Sequence, residues 1–214
     1  KLHDQLLGTL NVELDGQTLP LAAVRGMAPA PAPGVRKRAY EAELAAYPKV
    51  ALPMAFCLGS IKGEALTLCE AKNYPDVLTQ QLTESHMDRE TLDAMWTAIR
   101  EALPHFRRYL RAKAKLLGHP DGLPFYDLFA PVGEDIKHYT VEEARELLKD
   151  TFGKAHPKMA DFMMHAFDSR WIDMYPREGK RGGAFCSENH ELKISRILTN
   201  FVGSFSDVST LAHE

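Results

Sequence analysis

One long helical stripe sets the strongest limit on how this chain can fold. Between residues 88 and 117 the large apolar side chains recur three or four positions apart, which is the spacing of one helix face. Ser85 or Asp88 is suited to cap the beginning, Pro104 predicts a kink, and Gly118 predicts the end. The stripe consists of Leu92, Met95, Trp96, Ile99, Leu103, Phe106 and Leu110. A helix of this length favours a mainly α fold built by packing helix against helix.

Helical patterns also cover much of the remaining chain. They span about residues 35–47, 49–71, 77–82 and 140–169, with an interruption near Gly153 in the last. Thr140 and Glu143 have the capping-box spacing that begins a helix. Together these patterns predict a multi-helix lobe.

Alternating patterns predict a smaller β component. The alternation on both sides of Asp15-Gly16 indicates an N-terminal β-hairpin, and the Pro/Ala-rich residues 28–34 indicate an extended connector. Near the other end, the predicted strands span residues 171–175, 184–187 and 193–201. Ser204 or Ser206 then begins a final helix. We expect a small antiparallel β-subdomain beside that helix, and three segments in all: 1–34, 35–139 and 140–214.

The composition narrows the classes of function. A net charge of -3 provides no basic field for nucleic acid, and the basic run at residues 107–115 fits the solvated face of a helix. The chain contains no run of about 18 apolar residues, so we expect no membrane span. Cys57, Cys69 and Cys186 are too few and too scattered for a disulfide framework, which favours a reducing, cytoplasmic location.

The last two residues, His213-Glu214, match the first half of a His-Glu-x-x-His zinc-protease motif. The dipeptide alone is weak evidence, because His190-Glu191 is a second copy with Ile194 where the second histidine would stand. A histidine near the apolar face of a helix also packs into the core in many proteins. From the residues alone, His213 is therefore either a core residue or a ligand.

Three stretches, taken together, resemble the oligoendopeptidase F branch of the thimet-oligopeptidase-like zinc metallopeptidases. They occur in the family's order and at similar spacing, which chance matches far less readily than one dipeptide. The stretches are Phe125-Tyr126-Asp127-Leu128-Phe129-Ala130-Pro131, Gly179-Lys180-Arg181-Gly182-Gly183-Ala184-Phe185, and Ile197-Leu198-Thr199-Asn200-Phe201 followed by Thr210-Leu211-Ala212-His213-Glu214.

The resemblance implies a zinc-dependent oligopeptidase. His213 would be the first zinc ligand, and Glu214 would accept a proton from the water that zinc activates and pass it to the leaving amine. Family members supply a second histidine and a glutamate ligand beyond the matching region. We therefore expect this chain to be an internal part of such an enzyme. Alone it should be inactive and lack native Zn²⁺, because a catalytic zinc site takes three protein ligands.

The substrate-binding residues predicted from the resemblance are Gly182, Gly183, Ala184, Ile197 and Asn200. If the strand containing Ile197 lies at a sheet edge, its backbone could pair with an extended oligopeptide; the alternative is a purely structural strand. Gly182-Gly183 would permit a close approach of another backbone, or would simply form a turn. Lys180 and Arg181 would either meet a peptide carboxylate or belong to a solvated turn.

A non-catalytic helical module that binds a peptide or a partner is the alternative function. If the chain is part of an enzyme, helices from the remaining part would cover apolar stripes here. We therefore expect exposed apolar surface, self-association, or binding to the missing C-terminal part of the parent enzyme.

Overall fold

The computed structural model describes residues 1–133 and 137–214, and it confirms a mainly α fold with an N-terminal hairpin and a small sheet. The helices are α1 (Leu2–Gly8), α2 (Leu21–Arg25), α3 (Pro33–Ala46), α4 (Ala51–Ala71), α5 (Val77–Glu84), α6 (Arg89–Leu116), α7 (Val141–Ala155), α8 (Pro157–Asp168) and α9 (Phe205–His213). The strands are β1 (Asn11–Leu14), β2 (Gln17–Pro20), β3 (Ile172–Asp173), β4 (Phe185–Asn189) and β5 (Ile194–Leu198).

The chain forms two compact units. The first joins Lys1–Pro48 to Phe129–Glu214, and the second is Lys49–Leu128. The predicted segments have other limits: residues 1–34 and 140–214 both belong to the first unit, and residues 35–139 are shared between the two. The first unit thus joins two segments that are 80 residues apart in the sequence, and no local sequence pattern indicates this.

The N-terminal part of the first unit is organised by the hairpin. β1 and β2 pair antiparallel around Asp15-Gly16, whose φ angles of 50° and 79° suit the two-residue turn. Arg38 on α3 donates to the Asp15 carboxylate at 3.0 Å and ties α3 to this turn. The expected extended connector over residues 28–34 is wrong at both ends. Hydrogen-bonded turns cover residues 26–29, and Pro33 begins α3, where proline's fixed φ is favourable. Helices α1 and α2 were not predicted, since each is only two turns or less.

The C-terminal part of the first unit packs α7 and α8 as a pair beside α9. Its buried cluster consists of Ala144, Leu148, Phe201, Val208 and Leu211. The predicted Thr140–Glu143 capping box begins α7, with both reciprocal hydrogen bonds present. Leu211 is therefore the residue of the last turn of α9 that packs into the core, and Ala212 and His213, which follow it, are exposed.

The second unit contains α4, α5 and α6. Asp88, not Ser85, caps α6, and α6 continues through Pro104 to Leu116. Asp127, near the C-terminal end of the second unit, is buried, and its Oδ2 lies 2.6 Å from Nε2 of His119. Asp127 belongs to the stretch of residues 125–131 that resembles the family, and here it makes a local structural contact.

The second unit leaves much apolar side-chain area exposed. On α6, Trp96 is 49% and Phe106 is 60% exposed, and on α4, Phe56 is 70% exposed. Within the described residues, α4 is long and apolar enough for a membrane span, with 11% of that stretch buried. The core helix of a soluble protein passes the same test, and α4 carries Lys62 and Glu64, so the expected absence of a membrane span stays a prediction.

Candidate active site

Helix α9 is held firmly at its N-terminus. Ser204 and Asp207 form a capping box, and Oδ2 of Asp207 also accepts a hydrogen bond from the backbone N–H of Val202 at 3.1 Å. Val208 and Leu211 bury the opposite side of the helix in the core cluster. These contacts fix the rotation of α9, and hence the direction of the residues in its last turn.

His213 and Glu214 lie at the accessible end of α9. His213 is exposed and Glu214 is half-buried. Both residues line a groove of 380 Å³ with an apolar wall, formed by Phe152, Met159, Phe162 and Met163. The other dipeptide, His190-Glu191, lies in the exposed turn between β4 and β5. The two copies therefore occupy unlike environments.

The described residues fit one ligand position of a zinc site. His213 has an accessible imidazole, and Glu214 follows it with a half-buried carboxylate. Within residues 1–133 and 137–214, no three His, Cys, Asp or Glu side chains come together to hold a metal ion. His213 thus needs further ligands from outside the described part of the chain to form a catalytic zinc centre.

The small sheet has the order β3-β5-β4, so the strand containing Ile197 is central, and of the two alternatives the structural strand applies. β5 pairs with β3 in parallel and with β4 antiparallel. The backbone N–H of Ile197 already donates to Trp171 O at 2.9 Å. Ile197 is therefore occupied within the sheet, because both sides of its strand have neighbours.

β4 provides the open edge instead. Since the N–H groups of Ile197 and Thr199 point to the β3 side, those of Arg196 and Leu198 point to β4. Their antiparallel partners, Ser187 and Phe185, face β5 in return. The alternate residues Cys186 and Glu188 must then direct their backbone N–H and C=O groups away from the sheet. An extended chain could pair with this edge.

Asn200 braces the glycine segment that leads into β4. Its Nδ2 donates to Gly183 O at 2.9 Å and to Arg181 O at 3.1 Å. Its Oδ1 is buried and has no hydrogen-bond partner among the described residues. Gly183 has φ +81°, and open space lies where a side chain would project. The segment therefore has both a required conformation and room for a neighbour.

Lys180 does not belong to a solvated turn. It is buried, and its Nζ donates to Asp173 O, Asp173 Oδ1 and Tyr175 O at 2.7–3.0 Å. Burial lowers the pKa of this ammonium group. The hydrogen bond from Arg177 lowers the pKa of the Asp173 carboxyl. Lys180 thus ties the loop before β4 to the end of β3.

Three cavities meet at Gly183. Cavities of 280, 340 and 180 Å³ all use this residue as part of their wall. Gly182 lines two of them and Asn200 lines two. The smallest brings Ala184 together with Thr210, which precedes His213 by about one helical turn. Four of the predicted substrate-binding residues thus line one accessible region, while Ile197 does not.

Two features of this region were not predicted from the sequence. Arg25 on α2 lines the two larger cavities, although α2 itself lacks a clear periodic signal. The role of Lys180 as a buried anchor was not predicted either, because a lysine in a polar, glycine-rich stretch is typical of a surface turn. No local pattern identifies either one, since both depend on partners distant in the sequence.

Residues 26–214 match the profile of Peptidase family M3. The chain belongs to Peptidase family M3. This M3 chain is 28% identical to oligopeptidase PepF of Bacillus subtilis (strain 168), over 84% of its own length and 27% of that protein. It is 30% identical to an oligoendopeptidase F homolog of Lactococcus lactis subsp. lactis (strain IL1403), over 85% of its length and 30% of that protein. The M3 chain thus spans less than a third of these relatives.

Solved structures match the fold of the M3 chain over its whole length. A candidate oligoendopeptidase F from Bacillus anthracis str. Ames matches with a TM-score of 0.88 and 17% identity, covering 100% of this chain and 40% of that one. PZ peptidase A, solved with an inhibitor, matches with a TM-score of 0.87 and 17% identity, covering 100% and 39%. At this identity the likeness establishes the fold alone.

Proposed function

We propose that this chain is part of a zinc-dependent oligopeptidase, with His213 as a zinc ligand and Glu214 as the general base. One observation carries the proposal: the turn of α9 that precedes His213 and the segment that leads into β4 line the same cavity. Thr210 lies there with Gly183 and Ala184, which lead directly into β4. A bound peptide and the catalytic residues would thus be neighbours.

Glu214 would move the proton. It follows His213 directly, so the two side chains leave the helix about 100° apart. One can bind a metal while the other reaches a water molecule beside it. Glu214 would accept the proton of the attacking water and donate it to the amine of the broken peptide bond. When bound, zinc would acidify that water and polarise the peptide carbonyl.

The substrate would pair with β4. Backbone pairing with Cys186 and Glu188 depends little on substrate side chains, which suits hydrolysis of diverse short peptides. Two contacts would hold the beginning of this edge in place. Asn200 would hold it through its hydrogen bond to Gly183, and Lys180 through its hydrogen bonds at the end of β3. Ile197 would support the sheet and would not touch the substrate.

The isolated chain would be inactive. A catalytic zinc site takes three protein ligands, and His213 supplies one. The remaining ligands would come from the part of an M3 polypeptide outside this chain, and we propose that this part binds here as a partner. The same proposal includes a cytoplasmic location, supported by the free thiols of Cys57, Cys69 and Cys186.

A contact function for the second unit is supported by a separate observation. The exposed apolar side chains on α4 and α6 form surfaces of the type that other helices cover. The rest of an M3 polypeptide, or a second copy of this chain, would cover them. This contact would exist with or without catalysis.

Amide exchange measured by NMR would test the peptide edge. When an extended hexapeptide is added, the N–H groups of Cys186 and Glu188 should exchange more slowly. The N–H of Ser187 is an internal control, because it already faces β5. If the hexapeptide leaves Cys186 and Glu188 unprotected at saturating concentration, the proposed peptide edge is wrong.

A further inference from the structure

A charged cavity adjoins the beginning of the peptide edge. This 280 Å³ cavity lies between α1, α2 and the segment that precedes β4. His3, Asp4, Arg25 and Arg181 line it, together with Gly182 and Gly183. The proposed chemistry of His213 and Glu214 uses none of its charged groups.

Arg25 is held in one orientation by two neighbours. Its Nε donates to Glu43 Oε1 at 2.7 Å, and its Nη2 donates to Tyr47 Oη at 2.6 Å. The third nitrogen, Nη1, lies 3.8 Å from the position that a Cβ on Gly182 would occupy. Two of the five N–H donors of this planar guanidinium are thus engaged, and a carboxylate suits the geometry of those that remain.

Arg181 approaches the same segment from the strand side. Its guanidinium lies 5.3 Å from the ring centre of Phe185, the first residue of β4. Its ion pair with Asp4 is long, at 4.0 Å, and both side chains are about half exposed. Such a pair is weak and readily exchanged for another carboxylate. The pKa of Asp4 is lowered by its hydrogen bond to His3 and, to a smaller extent, by the charge of Arg181.

The order of these groups along β4 determines a direction for the peptide. Both arginines lie at the N-terminal end of β4. A peptide that runs antiparallel to β4 would bring its C-terminus to that end, whereas a parallel peptide would bring its positively charged amine there. Antiparallel pairing is also the slightly more stable arrangement per residue.

We propose that Arg25 and Arg181 bind the C-terminal carboxylate of a peptide that lies antiparallel along β4. The inference rests on the proposed peptide edge at β4, and it adds the peptide's C-terminal carboxylate as the group that the two arginines recognise. A free carboxylate near Gly182 would favour short peptides over internal segments of long polypeptides. The two arginines are thus specificity-determining residues.

A matched pair of hexapeptides would test the proposal on the 214-residue chain. The two have one sequence and an acetylated N-terminus, and differ in a C-terminal carboxylate or amide. We expect the carboxylate form to bind about tenfold more tightly in calorimetry, the effect of one charge-assisted contact. Arg181→Gln and Arg25→Gln should each weaken the carboxylate form and leave binding of the amide form unchanged. Arg38→Gln removes the same charge outside all of these cavities and should change neither.

The outcomes separate the two proposals. If both peptides bind equally and both protect Cys186 and Glu188 from exchange, the peptide edge stands and the carboxylate site is wrong. If neither peptide binds, both proposals fail. Because Arg25 also bonds to Glu43, thermal unfolding of each variant checks the fold, and Arg181→Gln provides the test that is free of this contact.

Discussion

The side chain of Asn200 reaches across 17 residues of sequence to donate to Gly183 O at 2.9 Å. Its second hydrogen bond, to Arg181 O, brackets Gly182 between two fixed carbonyl groups. The residue that ends the strand region therefore shapes the segment that begins β4.

Replacing Asn200 should loosen this segment. In Asn200→Asp an acceptor would face the carbonyl oxygens of Arg181 and Gly183, so we expect a loss of about 1–3 kcal/mol in the free energy of unfolding. Asn200→Ala should cost less, because it removes the donor without adding repulsion. Urea unfolding measures both. Asn189→Ala, at the far end of β4, is the control, and equal losses for all three variants would contradict a special role for Asn200.

The Asp173 carboxylate should make stability depend on pH in the acid range. Its pKa is lowered in the folded state, first by the hydrogen bond from Arg177 and also by Lys180. Its stabilising contribution is therefore present above the unfolded pKa, near 3.8, and is lost as the pH falls through the lower folded value. Asp173→Asn should be less stable than the wild type at pH 6, and the difference should shrink below about pH 3. A difference that stays constant from pH 6 to pH 2 would argue against this linkage.

The isolated chain should neither retain stoichiometric zinc nor hydrolyse peptides. His213 is one ligand, and a catalytic zinc needs three from the protein. Metal analysis after dialysis and a fluorogenic peptide assay test this, with His213→Ala as the matched control. We expect the wild type and His213→Ala to give the same low zinc content. Tight, equimolar zinc that His213→Ala abolishes would contradict the expectation of an incomplete site.

The exposed stripe on α6 should drive self-association. Ile99 and Phe106 are 45% and 60% exposed and lie seven residues apart, on one face. Ile99→Lys and Phe106→Lys should lower the average mass in light scattering at high protein concentration. Thr97→Lys adds the same charge on another face and should leave the mass unchanged. A wild-type monomer that binds no apolar dye would show that this prediction is wrong.

Local patterns were sufficient for most of the helices. The capping box at Thr140, the α6 stripe and the hairpin around Asp15-Gly16 all depend on residues a few positions apart. Strand order could not be predicted from such patterns, because β3 pairs in parallel with β5 although β4 lies between them in the sequence. Whether β5 lies at an edge therefore stayed open in the sequence, and the structure gives that edge to β4.

The sequence by itself determined that this is a mainly helical M3 chain whose last residues match a zinc motif. Apolar spacing and the order of motifs are properties of the sequence, so they can be recognised without the tertiary structure. Tertiary structure alone decided that Lys180 is a buried anchor, that β4 is open, and that Arg25 from α2 stands beside Gly182. These facts depend on burial and on contacts between distant segments, which arise only when the chain has folded.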